Sequence, residues 1–343
     1  MIADPADTAF TRAFGLKVPI IQAPMGMVAG PRLVAAAAEA GALAVLPIWF
    51  VPVEAAIGMI KATQALTARP FAVNIRADLA TDDMIAAATG LGVKIVHLFW
   101  GDPAASMGAI RRGGARMIAT VSDAETTRRA LDAGAAGLVA QGVEAGGHVL
   151  GSTPLADLLP RVAEMAGDVP VAAAGGLADA EDIARAFALG ASAAMLGTRF
   201  VAAEESDAHP AYRQALIAAR AEDTVRTLCF DGGWPDAPHR VLRNSTFRAW
   251  EQAGEPLPGA RPGEGEIIMR DPSGRAWPRY NSAPPNLSMQ GDLEAATLYA
   301  GTGVGKIKDV RPVGVLIEEI MAGLGEGVSL SRTLPPTATP RRG

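Results

Sequence analysis

Apolar runs typical of buried strands recur eight times in the first 200 residues, and segments with helical spacing separate them. Successive runs start roughly 22 to 32 residues apart, a period that fits one strand, one helix and two short loops. Near-continuous apolar strands that alternate with helices require a parallel sheet covered by helices. Eight such units favour a closed α/β structure, a (β/α)8 TIM barrel, over an open doubly wound sheet, which stays the alternative. The runs cover residues 19–25, 42–47, 71–76, 93–100, 115–121, 137–143, 169–175 and 193–200.

The segments between these runs carry start and stop signals of helices. Pro31 stands at the beginning of one such segment and Gly41 at its end. In another, Ser122 or Asp123 can act as the N-cap, and Gly134 follows the last helical residue. Proline in the first turn and glycine after the last turn are the usual boundaries of a helix.

The later part of the chain breaks this rhythm. We predict that residues 12–220 form the barrel. Residues 221–311 are rich in Pro, Gly and charge and show neither period, apart from helical spacing at 292–301. They predict an irregular insertion that covers the barrel mouth as a lid. Residues 312–331 predict a closing helix, and 332–343 a flexible tail.

Composition argues against several classes of function. The net charge of −5 leaves no basic stripe for nucleic acid or an anionic membrane. The most apolar window, residues 42–53, contains Pro47 and Pro52 and is too short to cross a bilayer. Cys229 is the sole cysteine and the N-terminus lacks an apolar core of signal length, so we expect a cytoplasmic protein with a buried thiol. Whether it forms a homo-oligomer is left open.

The four histidines show no metal-ligand spacing such as HxH or HExxH, so we expect no metal site. His97 lies inside an apolar run and is predicted to be a core residue. His209 and His239 are predicted to lie on the surface or in loops.

The stretch 141–148, QGVEAGGH, carries the strongest functional signal. It follows an apolar run, so His148 is expected on a loop at the end of a strand. Gly146 and Gly147 have no Cβ and let the backbone approach a planar ligand. The imidazole of His148 can hold or move a proton near neutral pH, which makes it the candidate catalytic residue.

Small residues follow the last two predicted strands, where barrels of this kind commonly bind phosphate. Gly175 and Gly176 precede a predicted helix, and Gly197 and Thr198 follow the final strand. Their backbone N–H groups, with the Thr198 hydroxyl, can bind an anion. A tight strand-to-helix turn accounts for these residues equally well, and both interpretations stay open.

The segment 301–306, GTGVGK, is superficially similar to a nucleotide-binding loop. Ala300 stands where the first glycine should be, and Ile307 replaces the Ser or Thr that would hold magnesium. We therefore predict a turn between two C-terminal helices, with closure over a bound ligand as the alternative.

Six segments of the chain form a recognisable set: IIQAPM at 20–25, FAVN at 71–74, QGVEAGGH at 141–148, PVAAAGG at 170–176, LGTRF at 196–200 and LYAGTGVGKIKDVRPV at 298–313. Together they resemble the nitronate monooxygenase family, over roughly residues 12–323. The resemblance implies an FMN-dependent (β/α) barrel with a lid-like region, in an enzyme that oxidises alkyl nitronates or nitroalkanes with O2 to a carbonyl compound and nitrite.

The resemblance also implies a role for each candidate site residue. His148 matches the catalytic histidine of the family. Along the flavin ring would lie Ala23, Pro24, Met25 and Gly146. The polar edge of the ring would meet Asn74 and Gln141. The phosphate would be held by Gly175, Gly176, Gly197 and Thr198.

Two positions depart from the family pattern at the flavin edge. Met195 stands where members often carry glutamine, and Thr120 stands where they often carry another polar or a basic residue. These two residues bear on the substrate range.

The flavin-dependent enoyl-acyl-carrier-protein reductases share the same motifs and are the alternative. In those enzymes NAD(P)H reduces the flavin and hydride passes to an enoyl thioester. Trp100 in HLFWGDP and the long insertion at 231–290 favour the monooxygenase, because both are expected to crowd the mouth. The expected partners are then a small nitro compound and O2.

Overall fold

Eight parallel strands close into a barrel in the computed structural model, which describes residues 4–326. Their order is β1-β2-β3-β4-β5-β6-β8-β9, and β1 pairs with β9 to complete the ring. The strands are β1 (Ile20–Gln22), β2 (Leu43–Pro47), β3 (Ala72–Arg76), β4 (Ile95–Phe99), β5 (Arg116–Val121), β6 (Gly137–Gln141), β7 (Gly147–His148), β8 (Val171–Ala174), β9 (Ala193–Leu196), β10 (Thr224–Thr227), β11 (His239–Leu242), β12 (Ile267–Arg270), β13 (Ala276–Pro278) and β14 (Gln290–Gly291).

Helices follow the barrel strands and cover the outside of the ring. The α-helices are α1 (Ala9–Phe14), α2 (Pro31–Glu39), α3 (Val53–Leu66), α4 (Asp82–Gly90), α5 (Ala104–Arg112), α6 (Ala124–Asp132), α7 (Leu155–Ala166), α8 (Ala180–Ala188), α9 (Thr198–Val201), α10 (Pro210–Ala218), α11 (Ser245–Gln252) and α12 (Val313–Gly325), and the 3₁₀ helices are η1 (Ala221–Asp223) and η2 (Thr302–Lys306). No helix within residues 4–326 is long and apolar enough to span a bilayer.

The closed (β/α)8 barrel predicted from the period is confirmed, and the open-sheet alternative is wrong. Each of the eight predicted runs contains one barrel strand. The strands are shorter than the runs: the run at 19–25 contributes only Ile20–Gln22. The residues beyond each strand leave the hydrogen-bonded ring and form the loops at its mouth.

Small and branched side chains fill the inside of the barrel. Ala72, Ala172 and Ala193 are fully buried there beside larger residues such as Ile21 and Val139. Phe10 and Phe14 of α1 belong to the same interior cluster, so α1 closes one end of the barrel. The interior is therefore packed, which leaves the chemistry to the loops at the other end.

Local capping fixes the helix boundaries much as the sequence indicates. Pro31 occupies the first turn of α2. Asp123, rather than Ser122, caps α6, because its carboxylate accepts a hydrogen bond from the Thr126 backbone N–H at 2.7 Å. Gly134 follows with φ of +85°, a conformation that favours glycine.

The segment 221–311 contains more regular structure than its composition predicts. Strand β11 pairs with β10 and with β7, and β12 pairs with β13 and β14. The predicted helix at 292–301 is absent. Leu298 instead accepts a hydrogen bond from the Leu242 N–H at 2.9 Å, and Tyr299 bridges to Val241. Leu298 and Ala300 are buried beside β11, and Ala295 and Ala296 are buried against β12 and β13, so the helical spacing predicted the wrong element.

Helix α12 packs against α2 and α8 and contributes Val313, Leu316 and Ile320 to the outer core. Its described part begins one residue after the predicted start at 312. Residues 327–331 of that prediction, and the predicted tail at 332–343, lie outside the described residues.

Candidate active site

The predicted site residues cluster at the carboxyl ends of the barrel strands. Because parallel strands of a barrel end at the same mouth, the residues at or after the ends of β1, β6, β8 and β9 face a common region. They are partly exposed, while most of the strand residues before them are buried. These partly exposed residues are Ala23, Pro24, Met25, Gln141, Gly146, His148, Gly175, Gly176, Gly197 and Thr198.

His148 is held by pairing with the insertion. It lies on β7, opposite His239 of β11. The Gln141 side chain also holds the backbone around His148. Its Nε2 donates to the His148 carbonyl at 3.1 Å, and its Oε1 accepts from the Leu150 N–H at 3.1 Å. Gly147 adopts φ of +79°, which turns the chain into this strand.

Aromatic rings surround the His148 imidazole. Trp234 stacks on it with ring centroids 3.8 Å apart and an interplanar angle of 25°. His239 lies 5.4 Å away, Tyr299 5.6 Å and Trp100 6.3 Å. The Nε2 atom of His148 is buried and has no hydrogen-bond partner within residues 4–326. A buried nitrogen without a partner is unusual in a folded protein, and it marks a place where a ligand can bind.

Burial lowers the pKa of His148 well below its ordinary value, with smaller contributions in the same direction from His239 and Arg76. The ring is therefore neutral at pH 7. A neutral imidazole with a free nitrogen can accept a proton from a substrate.

Arg76 brings a positive charge to this cluster. Its guanidinium carbon lies 3.4 Å from the Trp234 ring centroid and 5.5 Å from that of Trp49. Asp78 holds the guanidinium with contacts of 3.0 Å to Nε and 2.6 Å to Nη2. Arg76 is nearly buried at the end of β3. Its position at a strand end was the one sequence signal that could have marked it.

His239 was predicted on the surface or in a loop, and that prediction is wrong. It is fully buried in β11, the central strand of its sheet. Its Nε2 accepts from the Phe230 N–H at 3.2 Å, so Nδ1 carries the proton and donates to the Ala237 carbonyl at 2.9 Å. Burial lowers its pKa to about 4. The sequence showed only a histidine in a segment rich in proline and glycine, and pairing with β7 buries it.

His97 is a core residue, as predicted. It is buried, with its Nδ1 3.2 Å from the Asn74 amide nitrogen and its Nε2 2.8 Å from the Thr120 hydroxyl. Asn74 also donates to the His97 carbonyl at 3.1 Å. Burial lowers the pKa of His97 to about 4. The Asn74 amide nitrogen is thus engaged inside the barrel.

The segment 301–306 packs against the loops predicted to bind phosphate. Residues 302–306 of this segment form η2. The Lys306 Nζ forms ion pairs at the start of α8, 2.8 Å from Asp179 and 2.7 Å from Asp182. The Gly301 N–H donates to the Thr198 hydroxyl at 3.0 Å. We predicted a turn between two helices, and the first of those helices is absent, because an extended segment precedes η2.

Close backbone packing explains two of the glycines. A Cβ on Gly146 would lie 2.5 Å from the Gly301 nitrogen, so in this structure Gly146 admits the 300–301 backbone. A Cβ on Gly176, whose φ is +71°, would lie 2.8 Å from the Thr302 hydroxyl. Gly175 also has a positive φ, +117°. Neither member of the 175–176 pair tolerates a side chain without strain.

Gly197 lies beside two of the residues predicted to border the flavin ring. A Cβ added to Gly197 would lie 3.7 Å from the Ala23 side chain and 4.0 Å from the Met25 sulfur, which are ordinary van der Waals distances. The unpartnered Nε2 of His148 belongs to the same mouth. The donor set contains no cluster suited to a metal within residues 4–326.

Comparisons with known proteins place this arrangement in a family. A family model described as nitronate monooxygenase matches residues 7–91 and 80–323. A curated protein of Rhodococcus jostii, (3aS,4S,5R,7aS)-5-hydroxy-7a-methyl-1-oxo-octahydro-1H-indene-4-carboxyl-CoA dehydrogenase, is 30% identical over 92% of this chain and 95% of its own length. A nitronate monooxygenase of Pseudomonas aeruginosa is 33% identical over 65% of this chain and 77% of its own.

Two of the solved structures that resemble this chain are similar to it over more than 90% of its length. FabK from Thermotoga maritima has a TM-score of 0.76 at 29% identity and covers 94% of this chain and 97% of its own. Nitroalkane oxidase from Streptomyces ansochromogenes has a TM-score of 0.74 at 29% identity and covers 93% of this chain and 98% of its own.

Proposed function

Because this chain belongs to the nitronate monooxygenase family, and is thus a flavin-dependent oxidoreductase, we propose that it oxidises alkyl nitronates or nitroalkanes with O2. The products are a carbonyl compound and nitrite. Two nitronate anions and one O2 give two carbonyl compounds and two nitrite ions, so atoms and charge balance. The similarity to nitroalkane oxidase over 93% of the chain supports this reaction.

The flavin that the family implies is proposed to be FMN. Its phosphate would lie against Gly175 and Gly176 in the loop before α8 and against Gly197 and Thr198 at the start of α9, where backbone N–H groups can meet an anion. The sequence offers no second fingerprint for an adenosine group. The bound flavin would supply the electron acceptor for the nitronate, while the protein supplies position and proton control.

The ring of that flavin is proposed to lie along Ala23, Pro24 and Met25, with Gly146 nearby. Asn74 and Gln141 would meet its polar edge. Both amides already donate inside the protein, Asn74 to His97 and Gln141 to the His148 carbonyl, so they would present a fixed edge to the ring.

His148 is the proposed catalytic residue, and the buried Nε2 without a partner is the observation that carries this role. A neutral nitroalkane must lose its α-proton before it becomes a nitronate, and a neutral imidazole can take that proton. Because the ring is desolvated, His148 is in the neutral form at pH 7. Arg76 pairs with Asp78 through Nε and Nη2, and its remaining Nη1 would favour the nitronate anion that forms.

Oxygen uptake tests this proposal. The flavin-loaded protein is mixed with propionate 3-nitronate under air, and the expected result is oxygen consumption and nitrite release without any nicotinamide. The matched control is His148→Ala given the neutral nitroalkane, which should be nearly inactive. No oxygen uptake with any small nitronate would refute the reaction.

A thioester oxidoreductase is the second candidate, and the CoA dehydrogenase of R. jostii, aligned over 92% of this chain, is the observation that favours it. The reaction would follow the enoyl-acyl-carrier-protein reductases, with NAD(P)H as reductant. It predicts that NAD(P)H bleaches the flavin anaerobically and that a crotonyl thioester restores the colour. Both results, together with no oxygen uptake on nitronates, would select the thioester reaction. The insertion at 231–290 would then be a docking surface for the acyl carrier.

A cytoplasmic location and the use of a small nitro compound with O2 remain predictions. The first rests on the N-terminal sequence and the single cysteine, and the second follows from the proposed reaction.

A further inference from the structure

Trp234 lies between the His148 imidazole and the Arg76 guanidinium. The His148 imidazole is stacked 3.8 Å from its ring centroid, and the Arg76 guanidinium lies 3.4 Å from it. Two groups this close cannot share one face of an indole without overlapping. Trp234 therefore separates the base from the cation and fills a slot one aromatic ring thick.

The backbone holds Trp234 firmly in this position. Its own N–H donates to the Asp231 carbonyl at 2.9 Å. Gly232 exchanges hydrogen bonds of 2.9 Å with the Tyr280 carbonyl and the Ser282 N–H. Asp231 also pairs with the largely buried Arg261 at 2.6 Å. The indole is 5% exposed, so it is a fixed wall of the site.

Trp100 closes the neighbouring side. Its ring lies 5.1 Å from that of Trp234 and 6.3 Å from the His148 ring. Its φ of +59° is costly for a bulky residue, and hydrogen bonds from Asp78 N–H to the Trp100 carbonyl (3.1 Å) and from Ala77 N–H to the Phe99 carbonyl (2.9 Å) hold it there. Strain of this kind persists only where the surrounding structure over-determines the conformation, so the position of the Trp100 ring is fixed.

We propose that Trp234 determines substrate size in this enzyme and restricts it to short, planar anions. The inference rests on the proposed function, because His148 is taken as the base that the substrate must reach. In this proposal a planar nitronate or carboxylate lies against the indole edge with its charge toward Nη1 of Arg76, the guanidinium nitrogen outside the pair with Asp78. A long acyl chain has no room, because Trp100 and Trp234 occupy the space above the imidazole.

The test compares chain-length profiles in Trp234→Ala, in Trp234→Phe and in a matched control, Trp250→Ala. Trp250 lies on α11, where its Nε1 donates to the Pro256 carbonyl at 3.0 Å, and it takes no part in the stack on His148. For nitronates from ethyl to hexyl, kcat/KM of the wild type should fall with length. Trp234→Ala should raise the hexyl-to-ethyl ratio of kcat/KM by at least about tenfold, the smallest effect expected from a pocket that gains a methylene-sized space. The ratio for Trp234→Phe should lie between those of the wild type and Trp234→Ala, and the ratio for Trp250→Ala should equal that of the wild type.

A binding measurement without turnover separates this proposal from the proposed reaction. Calorimetric titration with carboxylates from propionate to octanoate should show the same length limit in the wild type and its loss in Trp234→Ala. If the wild type consumes no oxygen with nitronates but the carboxylate profiles behave as expected, the reaction fails and the role of Trp234 stands. If Trp234→Ala and Trp234→Phe, both with wild-type circular dichroism, keep the wild-type length profile in both assays, the role of Trp234 is refuted.

Discussion

The buried histidines make the folded protein sensitive to acid, and His239 allows the size of the effect to be worked out. His239 is fully buried with both ring nitrogens hydrogen-bonded, and burial lowers its pKa from 6.5 to about 4. In the unfolded chain the ring takes up a proton as the pH falls below 6.5, whereas in the folded protein it stays neutral until about pH 4. The contribution to stability is therefore complete above pH 6.5 and is lost as the pH falls toward 4.

The loss per histidine follows from the shift. One pKa unit corresponds to roughly 1.4 kcal/mol. Protonation of this one ring in the unfolded chain therefore lowers the free energy of unfolding by about 2 kcal/mol when the pH falls from 7.5 to 5.0. Urea unfolding of the wild type and of His239→Gln at both pH values measures it. The variant is expected to be less stable at pH 7.5, because it disturbs two buried hydrogen bonds, but to lose about 2 kcal/mol less on going to pH 5.0.

Because the free energy of unfolding of each protein is compared at two pH values, any pH-independent destabilisation caused by the substitution itself cancels. His209→Gln is the matched control: His209 is partly exposed at the start of α10, so its removal should change the pH dependence much less. If His239→Gln and the wild type lost equal stability between pH 7.5 and 5.0, the argument from burial would be wrong.

Further predictions concern the site itself. His148→Ala should keep its fold and its flavin and lose about 10²- to 10⁴-fold in turnover of a neutral nitroalkane, with a smaller loss of turnover on the preformed nitronate. Equal losses on the two substrates would indicate an electrostatic role for His148. No loss on either substrate would refute its catalytic role. In the wild type, kcat/KM for the neutral nitroalkane should stay level as the pH falls through 6.5, because the pKa of His148 lies well below that value, and a decline centred at 6.5 would contradict this. Gly176→Leu should weaken flavin binding, measured by titrating the apoprotein with FMN, because φ is +71° and the new side chain would meet Thr302; unchanged affinity would leave that glycine a turn-forming role alone. Mass analysis of the extracted yellow cofactor should give FMN, and FAD would overturn the proposed phosphate site.

The barrel could be predicted from the sequence because its signals are local. Each strand is an apolar run, each helix has its own start and stop residues, and the period of one strand and one helix repeats along the chain. His148 could be singled out for the same reason, since the glycines before it are its immediate neighbours in the chain. His97 was identified as a core residue because the run that contains it is apolar on both sides.

The surroundings of His148 were decided by the tertiary structure. Arg76, Trp234 and His239 come from segments between about 70 and 90 residues away in the chain, and no spacing in the sequence links them to the loop that carries His148. Antiparallel pairing of the two-residue strand β7 with β11 brings His239 beside His148 and buries it, although its segment is rich in proline and glycine. In the same sheet, Leu298 and Tyr299 pair with β11, while residues 294–296 form a turn, so 292–301 does not form the helix that its spacing predicts. A local pattern shows which side chains of a segment are apolar enough to be buried. It does not show which other segment buries them, because such contacts form between residues far apart in sequence.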